Sequence, residues 1–335
     1  AISTQAFQPP SKVRILMPIV RFFTHLAPEL AERFTAHAPP GYEVTTHPAD
    51  LSEEEKSPLF QNADFLILFG GSPSDDILRS APNLKLIQLV SAGFEHLNLD
   101  LCRELNITVA NNGGANSIDV SEHTLALILG FYRHMVEQDQ NVRSNRYHDL
   151  NNGLLTYTIH GKTAGVIGLG NIGQKVTRLL NAFGATVSYY DEYPVDAQIE
   201  KDLNVTRKSL PDLLASSEIV TLHVPFNEST HHLIGTEELA QMKPTTLLVN
   251  TCRGKVIDQV ALTETLTQKR ILGAALDVQE QEPPDPNDSI LKLDNVLFTP
   301  HSAGVTFDTW SRRGEFVFQN LQAVWEGRGP LAVVS

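Results

Sequence analysis

Residues 164 to 191 constrain the fold of this chain more than any other stretch. A short apolar run, Ala164 to Ile167, leads into Gly168-Leu169-Gly170-Asn171-Ile172-Gly173. The run reads as a buried strand. Residues 171 to 183 read as a helix with Ile172, Val176, Leu179, Leu180 and Phe183 on one face. Thr186 to Tyr190 reads as a second strand, and it ends in Asp191, 18 residues past Gly173. Strand, glycine turn, helix and strand in this order form a βαβ unit, which requires a parallel sheet.

The residue types also carry a chemistry. Gly168 permits a tight turn out of the strand, Gly170 leaves room for a pyrophosphate to approach the backbone, and Gly173 allows close helix packing. The first turn of the helix, at Asn171 and Ile172, offers N–H groups and a partial positive charge to phosphates. Asp191 stands near the distance of a ribose-binding acid. Its carboxylate would accept hydrogen bonds from both adenosine ribose hydroxyls and repel a 2′-phosphate. No Arg or Lys follows it before Lys201. The expected cofactor is therefore NAD, not NADP.

Length and charge bound the remaining possibilities. With 335 residues the chain has room for two domains. Hydrophobic residues at 41% and charged residues at 19% fit a globular protein. A net charge of −13 argues against nucleic acid or an anionic membrane as partner. An anionic substrate would need a local positive site. Cys102 and Cys252 have no metal-ligand spacing, so no metal is expected, and they suggest a reducing compartment. No apolar run reaches transmembrane length. Residues 1 to 11, with Pro9 and Pro10, read as a flexible arm without a signal-peptide pattern, and a cytoplasmic location is expected.

Strand and helix patterns alternate on both sides of the central motif. Strands are expected at Val13 to Val20, Tyr42 to Thr46, Phe65 to Phe69, Leu84 to Val90 and Ile107 to Ala110. Residues 118 to 143 read as one long helix, apolar over much of its circumference, part of which is expected to form a dimer contact. After Asp191 come strands at Ile219 to Val224, Thr246 to Thr251, Leu272 to Val278 and Val296 to Phe298, then a long helix over 306 to 326. The expected architecture is α/β, with two doubly wound parallel-sheet domains. A Rossmann NAD domain at 117–302 is inserted into a flavodoxin-like substrate domain at 1–116 plus 303–335. Ligands of such sheets bind beyond strand C-termini, which draws attention to residues 69 to 72 and 91 to 93.

Arg253, Glu282 and His301 stand at strand-to-loop junctions in the second half. An Arg can clamp a carboxylate with two parallel hydrogen bonds and polarise an adjacent carbonyl. A His can trade a proton near neutral pH. A carboxylate can hold that imidazole in one tautomer and raise its pKa. Taken singly, each has a plainer reading as a surface charge or a structural histidine. Together they suit reduction of a 2-oxo acid, the nicotinamide carrying the hydride and the protein supplying orientation and a proton.

The ordered set of motifs resembles the D-isomer-specific 2-hydroxyacid dehydrogenase family. The matching pieces are Gly-Leu-Gly-Asn-Ile-Gly at 168–173, Tyr-Tyr-Asp at 189–191, Leu-His-Val-Pro at 222–225, Val-Asn-Thr-Cys-Arg-Gly at 249–254, Ala-Leu-Asp-Val-Gln-Glu-Gln-Glu-Pro at 275–283 and Thr-Pro-His-Ser-Ala-Gly at 299–304. Val-Ser-Ala-Gly-Phe-Glu-His-Leu at 90–97 resembles the substrate loop, and Val-Ser-Glu-His-Thr-Leu-Ala-Leu at 120–127 the interdomain helix. The resemblance implies that Arg253 binds substrate, His301 is the acid/base and Glu282 its carboxylate partner. It places the substrate carboxylate on the backbone N–H groups of Ser91, Ala92 and Gly93, aided by the loop that holds Gly71. It implies NAD contacts at Asn171, Ile172, Asp191, Val224, Thr251, Cys252, Asp277 and Ala303, with Val120 bordering the nicotinamide. For Asp277 the plainer reading is a helix or loop cap, and the resemblance favours a hydrogen bond to the carboxamide; His223 has a similar plain reading, a strand-end histidine satisfied by backbone.

Two relatives differ at telling positions. Formate dehydrogenases carry a glutamine where Glu282 stands. Phosphite dehydrogenases, the alternative enzyme reading, carry a lysine in the loop that here is Ser91-Ala92-Gly93. A third reading, from another class, is an NAD(H)-sensing corepressor. Tyr147 replaces a commoner Trp, and Trp310 is expected near the site, where it would narrow the pocket. The resulting expectation is an NAD-dependent oxidoreductase acting on a small anionic 2-oxo or 2-hydroxy acid, and a homodimer through its NAD domain.

Overall fold

The computed structural model describes residues 17–147 and 153–334. The chain divides into two compact units, Ala1–Gly113 with Trp310–Ser335, and Gly114–Thr309. Their limits fall at 113/114 and 309/310, against expected limits of 116/117 and 302/303. The arm expected over residues 1 to 11 lies outside the described residues.

The first unit holds a five-stranded parallel sheet. Its strands are β1 (Ile19–Thr24), β2 (Glu43–Pro48), β3 (Phe65–Phe69), β4 (Leu86–Leu89) and β5 (Thr108–Ala110), in the order β2-β1-β3-β4-β5. The side-chain period of two sorts each strand between two cores. Phe65 and Ile67 join Val20, Phe22 and Phe34 on one face; Leu66 and Leu68 join Phe23, Ile87 and Leu101 on the other. The C-terminal helix Thr309–Trp325 covers the first face with Trp310, Val317, Phe318 and Leu321. Each fully buried side chain of this size contributes about 1.5–3 kcal/mol, so both faces of the sheet are closed by packing. Trp310 is 1% exposed and meets Phe69 edge-on at 5.1 Å. It belongs to this core.

The second unit holds seven parallel strands: β6 (Thr163–Ile167), β7 (Thr186–Tyr190), β8 (Thr206–Arg207), β9 (Ile219–Leu222), β10 (Leu247–Asn250), β11 (Gly273–Leu276) and β12 (Val296–Phe298). Their order is β12-β11-β10-β9-β6-β7-β8. The order reverses at β6, between β7 and β9, which is the Rossmann switch point where dinucleotides bind. Val166, Leu247 and Val249 pack with helix residues Leu125, Ile128, Val176 and Leu180 on one face. Ile167, Leu222 and Leu248 pack with Leu213, Leu239, Leu262 and Leu266 on the other.

The single helix expected over 118 to 143 is two helices, Ser117–Tyr132 and Met135–Arg143. His134 between them has φ 49°, a left-handed conformation that a continuous helix cannot contain. Its ring holds the break in place, with Nε2 3.1 Å from the Leu155 carbonyl. Among the described residues no helix is long and apolar enough to cross a membrane.

Candidate active site

The glycine loop leaves β6 at the switch point. Gly168 has φ +91°, and a Cβ there would lie 2.7 Å from the His223 carbonyl oxygen, so glycine is required twice over. At Gly173 a Cβ would fall 2.0 Å from the Gly168 carbonyl oxygen. That glycine serves the loop itself more than the sheet. Gly170 differs: nothing lies within 4 Å of a Cβ built there. No protein neighbour demands a glycine at this N-cap. The open space fits a bound pyrophosphate, in front of the helix Asn171–Ala182 whose first-turn N–H groups have no intrahelical partner.

Asp191 follows β7 and is tied back to this loop. Its Oδ2 accepts the Leu169 N–H at 2.8 Å, which fixes the carboxylate against the glycine loop. A cation stands beside it that the sequence order conceals. Arg207, on the neighbouring strand β8, donates from Nη2 to the Asp191 carbonyl at 2.8 Å and to the Glu192 carbonyl at 3.1 Å. Sheet register brings them together, with Tyr189 paired to Arg207.

The loops after β10, β11 and β12 carry the ionisable trio. Asn250, at the end of β10, accepts the Cys252 N–H at 3.0 Å and donates to the Arg253 carbonyl at 2.9 Å. Arg253 Nη1 donates to the Cys252 carbonyl at 2.7 Å. Gly254 lets this loop lie against the next: a Cβ would fall 1.8 Å from the Gln279 carbonyl oxygen. Glu282 Oε1 accepts the Gln279 N–H at 3.0 Å, and Oε2 meets His301 Nδ1 at 2.7 Å. The hydrogen bond to Glu282 raises the His301 pKa, against partial burial and the nearby Arg253 charge. Burial alone pushes the Glu282 carboxyl up, but hydrogen bonds from His301 and the Gln279 N–H outweigh it and leave the group below its ordinary range. A largely apolar cavity of about 480 Å³ opens beside the pair, lined by Pro283, Leu291, Phe298 and His301 among others.

Asp277 organises the loop that holds His301. Buried at 1% exposure, it accepts from Thr299 Oγ1 at 2.5 Å, Ser302 N–H at 2.9 Å and Ala303 N–H at 3.0 Å. Both oxygens are thus engaged by the loop. His301 itself sits at φ 51° with its N–H on the Asp277 carbonyl at 2.7 Å. His123 supports the same loop, its Nε2 3.0 Å from Thr299 Oγ1. Thr251 bonds Thr124 at 3.1 Å, one turn from Val120 on the same helix. Buried Asp119 accepts from Thr306 Oγ1 at 2.6 Å and Thr309 Oγ1 at 2.9 Å. Val224 approaches Gly168, where a Cβ would meet its Cγ1 at 2.9 Å. His223 is held neutral, its pKa pushed down to about 3 by burial, with Nε2 2.9 Å from Thr221 Oγ1.

In the first unit, the loops after the paired strands β3 and β4 meet. Ser72 Oγ donates to the His96 carbonyl at 2.6 Å, and Gly71 adopts φ +70°. The peptide carbonyls of the other loop are all engaged. Ser91 C=O accepts the Asn112 N–H at 3.1 Å, Ala92 C=O accepts Asn111 Nδ2 at 3.0 Å, and Gly93 C=O accepts the Ser91 hydroxyl at 3.1 Å. In a trans peptide the following N–H points opposite its carbonyl. The N–H groups of Ala92 and Gly93 therefore face away from Asn112 and Asn111.

Asp119, His123, Asn250 and Arg207 went unassigned from sequence. His123 and Asn250 lie inside recognised motifs, so motif membership was the signal. Asp119 and Arg207 act across long sequence separations that only register and packing bring together.

Residues 125–303 match the family model described as D-isomer specific 2-hydroxyacid dehydrogenase, NAD binding domain. The chain is 37% identical over 280 residues to a glyoxylate reductase of Korarchaeum cryptofilum, covering 82% of this chain and 83% of that protein. Among solved structures it is similar to D-mandelate dehydrogenase of Rhodotorula graminis, at 29% identity and a TM-score of 0.80 over 95% of this chain and 98% of that one. It is also similar to a D-lactate dehydrogenase of Treponema pallidum, at 28% identity and a TM-score of 0.80 over 94% and 99%.

Proposed function

The chain belongs to the D-isomer specific 2-hydroxyacid dehydrogenase family and is an NAD-dependent enzyme of that class, and from this premise we propose that it interconverts a small 2-oxo acid and its D-2-hydroxy acid, with His301 as the acid/base. The observation that carries the reading is the 2.7 Å bond between His301 Nδ1 and Glu282 Oε2. With Nδ1 held by the carboxylate, Nε2 is the nitrogen left for substrate.

When bound, NADH supplies the hydride that reduces the 2-oxo carbon. Protonated His301 hands its Nε2 proton to the developing alkoxide. Glu282 fixes the imidazole and favours the protonated form at neutral pH. Arg253 holds the substrate carboxylate and polarises the carbonyl beside it; in the first unit the N–H groups of Ser91, Ala92 and Gly93 are the assigned carboxylate donors. In the reverse direction neutral His301 takes the hydroxyl proton. Gly168, Gly170, Asn171, Ile172 and Gly173 form the phosphate cradle, and Asp191 binds the adenosine ribose. Val224, Thr251, Cys252, Ala303 and Val120 line the remaining cofactor surface. Asp277 acts through the loop that it holds.

The test is NADH oxidation with glyoxylate, hydroxypyruvate, pyruvate and bulkier 2-oxo acids, alongside phosphite with NAD. Turnover of the smallest acids is expected, given the likeness to a glyoxylate reductase. If every acid fails while NADH binds tightly, the reading is wrong.

A second copy of the chain is the proposed partner. Helix Met135–Arg143 buries none of its residues, and Met135, Val136 and Val142 are all more than half exposed, as are Leu154 and Leu155 nearby. A nine-residue helix gains little from propensity alone and needs packing to persist. Sedimentation should return twice the mass of one chain; a monomer at micromolar concentration would remove this proposal.

A further inference from the structure

The nucleotide specificity expected from sequence rests on the Asp191 carboxylate, which repels a 2′-phosphate, and on the absence of a cation close after it. That absence does not hold in space. Arg207 lies on β8, and its Nη2 is within hydrogen-bond distance of the carbonyls of Asp191 and Glu192. Both carbonyls belong to the turn that carries Asp191, the residue assigned to the ribose. Arg207 is solvent-exposed, and a guanidinium stays charged at any working pH, with donors on three nitrogens. Only Nη2 is used on the two carbonyls. The Asp191 carboxylate is itself fixed, through Oδ2, to the Leu169 N–H of the glycine loop. A guanidinium from β8 and the Asp191 carboxylate therefore meet at one turn, the first on its carbonyls and the second on the glycine loop.

We propose that Asp191 and Arg207 together form the cofactor discriminator: the carboxylate excludes a 2′-phosphate, and Arg207 is the latent cation that receives one once the carboxylate is removed. This rests on the assignment of Asp191 to the adenosine ribose. In the native protein the carboxylate dominates, because a 2′-phosphate on a ribose held by Asp191 would lie beside its like charge, which opposes binding. Arg207 meanwhile braces the turn through its two carbonyl contacts. The selectivity for NAD is then set by a single negative side chain over an existing phosphate-binding group.

The experiment measures Kd for NADH and NADPH by nucleotide fluorescence with four full-length proteins: native, Asp191→Ser, Arg207→Ala and the double variant. Circular dichroism and Tm of the nucleotide-free proteins control for folding. Asp191→Ser is expected to bind NADPH about tenfold or more tightly than native. Adding Arg207→Ala should abolish that gain, while NADH affinity of the double variant stays within about threefold of Asp191→Ser. The NADPH affinity of Asp191→Ser should also fall steeply with salt, and that of the double variant much less. If the double variant binds NADPH as tightly as Asp191→Ser, Arg207 is not the receiving cation and the proposal is overturned. If Asp191→Ser gains nothing for NADPH, the ribose assignment of Asp191 fails first and takes the proposal with it.

Discussion

His301 Nδ1 lies 2.7 Å from Glu282 Oε2, although the two residues follow different strands, β12 and β11. The pair is held from both sides. Asp277 fixes the His301 loop through Thr299, Ser302 and Ala303, and the Gln279 N–H fixes Glu282.

The first prediction concerns pH. On the proposed mechanism His301 is protonated for reduction, and Glu282 raises its pKa. Reductive kcat/KM should therefore fall as pH rises through that raised value. Glu282→Gln removes the charge, so the fall should move to lower pH while NADH affinity stays nearly native. The pair's contribution to stability has two limits. It is lost as pH drops through the depressed Glu282 pKa, and lost again as pH rises through the raised His301 pKa. The Tm difference between native and Glu282→Gln should be largest between those limits. An unmoved pH profile in the variant would sink the coupling.

Gly170 and Gly254 should separate binding from folding. Gly170→Ala places a methyl where no protein atom stands within 4 Å. Its Tm should be near native, while NADH Kd weakens about tenfold or more through lost phosphate contact. Gly254→Ala drives a methyl to within 1.8 Å of the Gln279 carbonyl oxygen. Overpacking of this kind costs about 1–3 kcal/mol, so Tm should drop by roughly 2–12 °C. Titration and thermal melting of both variants decide the matter; native NADH affinity in Gly170→Ala would leave its open space unexplained.

The parallel βα alternation was legible because fully buried strands show as continuous apolar runs, as at Phe65–Phe69 and Leu247–Asn250. The contact between Glu282 and His301 was legible because each follows a strand end, and strand ends converge. Three features were not. The break at His134 depends on one residue adopting φ 49°, which helical periodicity does not register. Arg207 reaches Asp191 through strand pairing, not proximity in the chain. The burial of Trp310 was not legible, because a helix that returns to the first unit can present a residue to its core or to solvent, and the edge-on contact with Phe69 shows the former.

Asp277 offers a test of loop support separate from chemistry. Its carboxylate accepts three hydrogen bonds while buried. Asp277→Asn replaces one accepting oxygen with a donor, so at least one loop N–H or hydroxyl loses its partner. An unsatisfied buried group costs about 1–3 kcal/mol. Turnover should fall with stability, and the reductive pH limit should shift as His301 moves relative to Glu282. A variant with native Tm and a native pH limit would show that the loop holds itself.

Arg253→Lys tests whether shape or charge matters at the substrate end. Arg253 Nη1 is anchored on the Cys252 carbonyl at 2.7 Å, and Asn250 fixes the backbone beneath it. The planar guanidinium is thereby oriented through Nη1. A carboxylate and an adjacent carbonyl can be met by that plane together. Lysine keeps the charge but offers a point donor on a flexible stem. Losing one charge-assisted hydrogen bond costs about 1.5–3 kcal/mol, which converts to a fall of roughly 10- to 100-fold in kcat/KM for glyoxylate. KM should rise because the carboxylate is held less well, and kcat should fall because the carbonyl is polarised less. NADH Kd should stay near native, since Arg253 is assigned to the acid and not to the nucleotide. Steady-state kinetics with parallel NADH titration separate these terms. If Arg253→Lys retains native kcat/KM, charge alone suffices and the two-point clamp is wrong; if NADH affinity collapses with it, Arg253 belongs to the cofactor site instead.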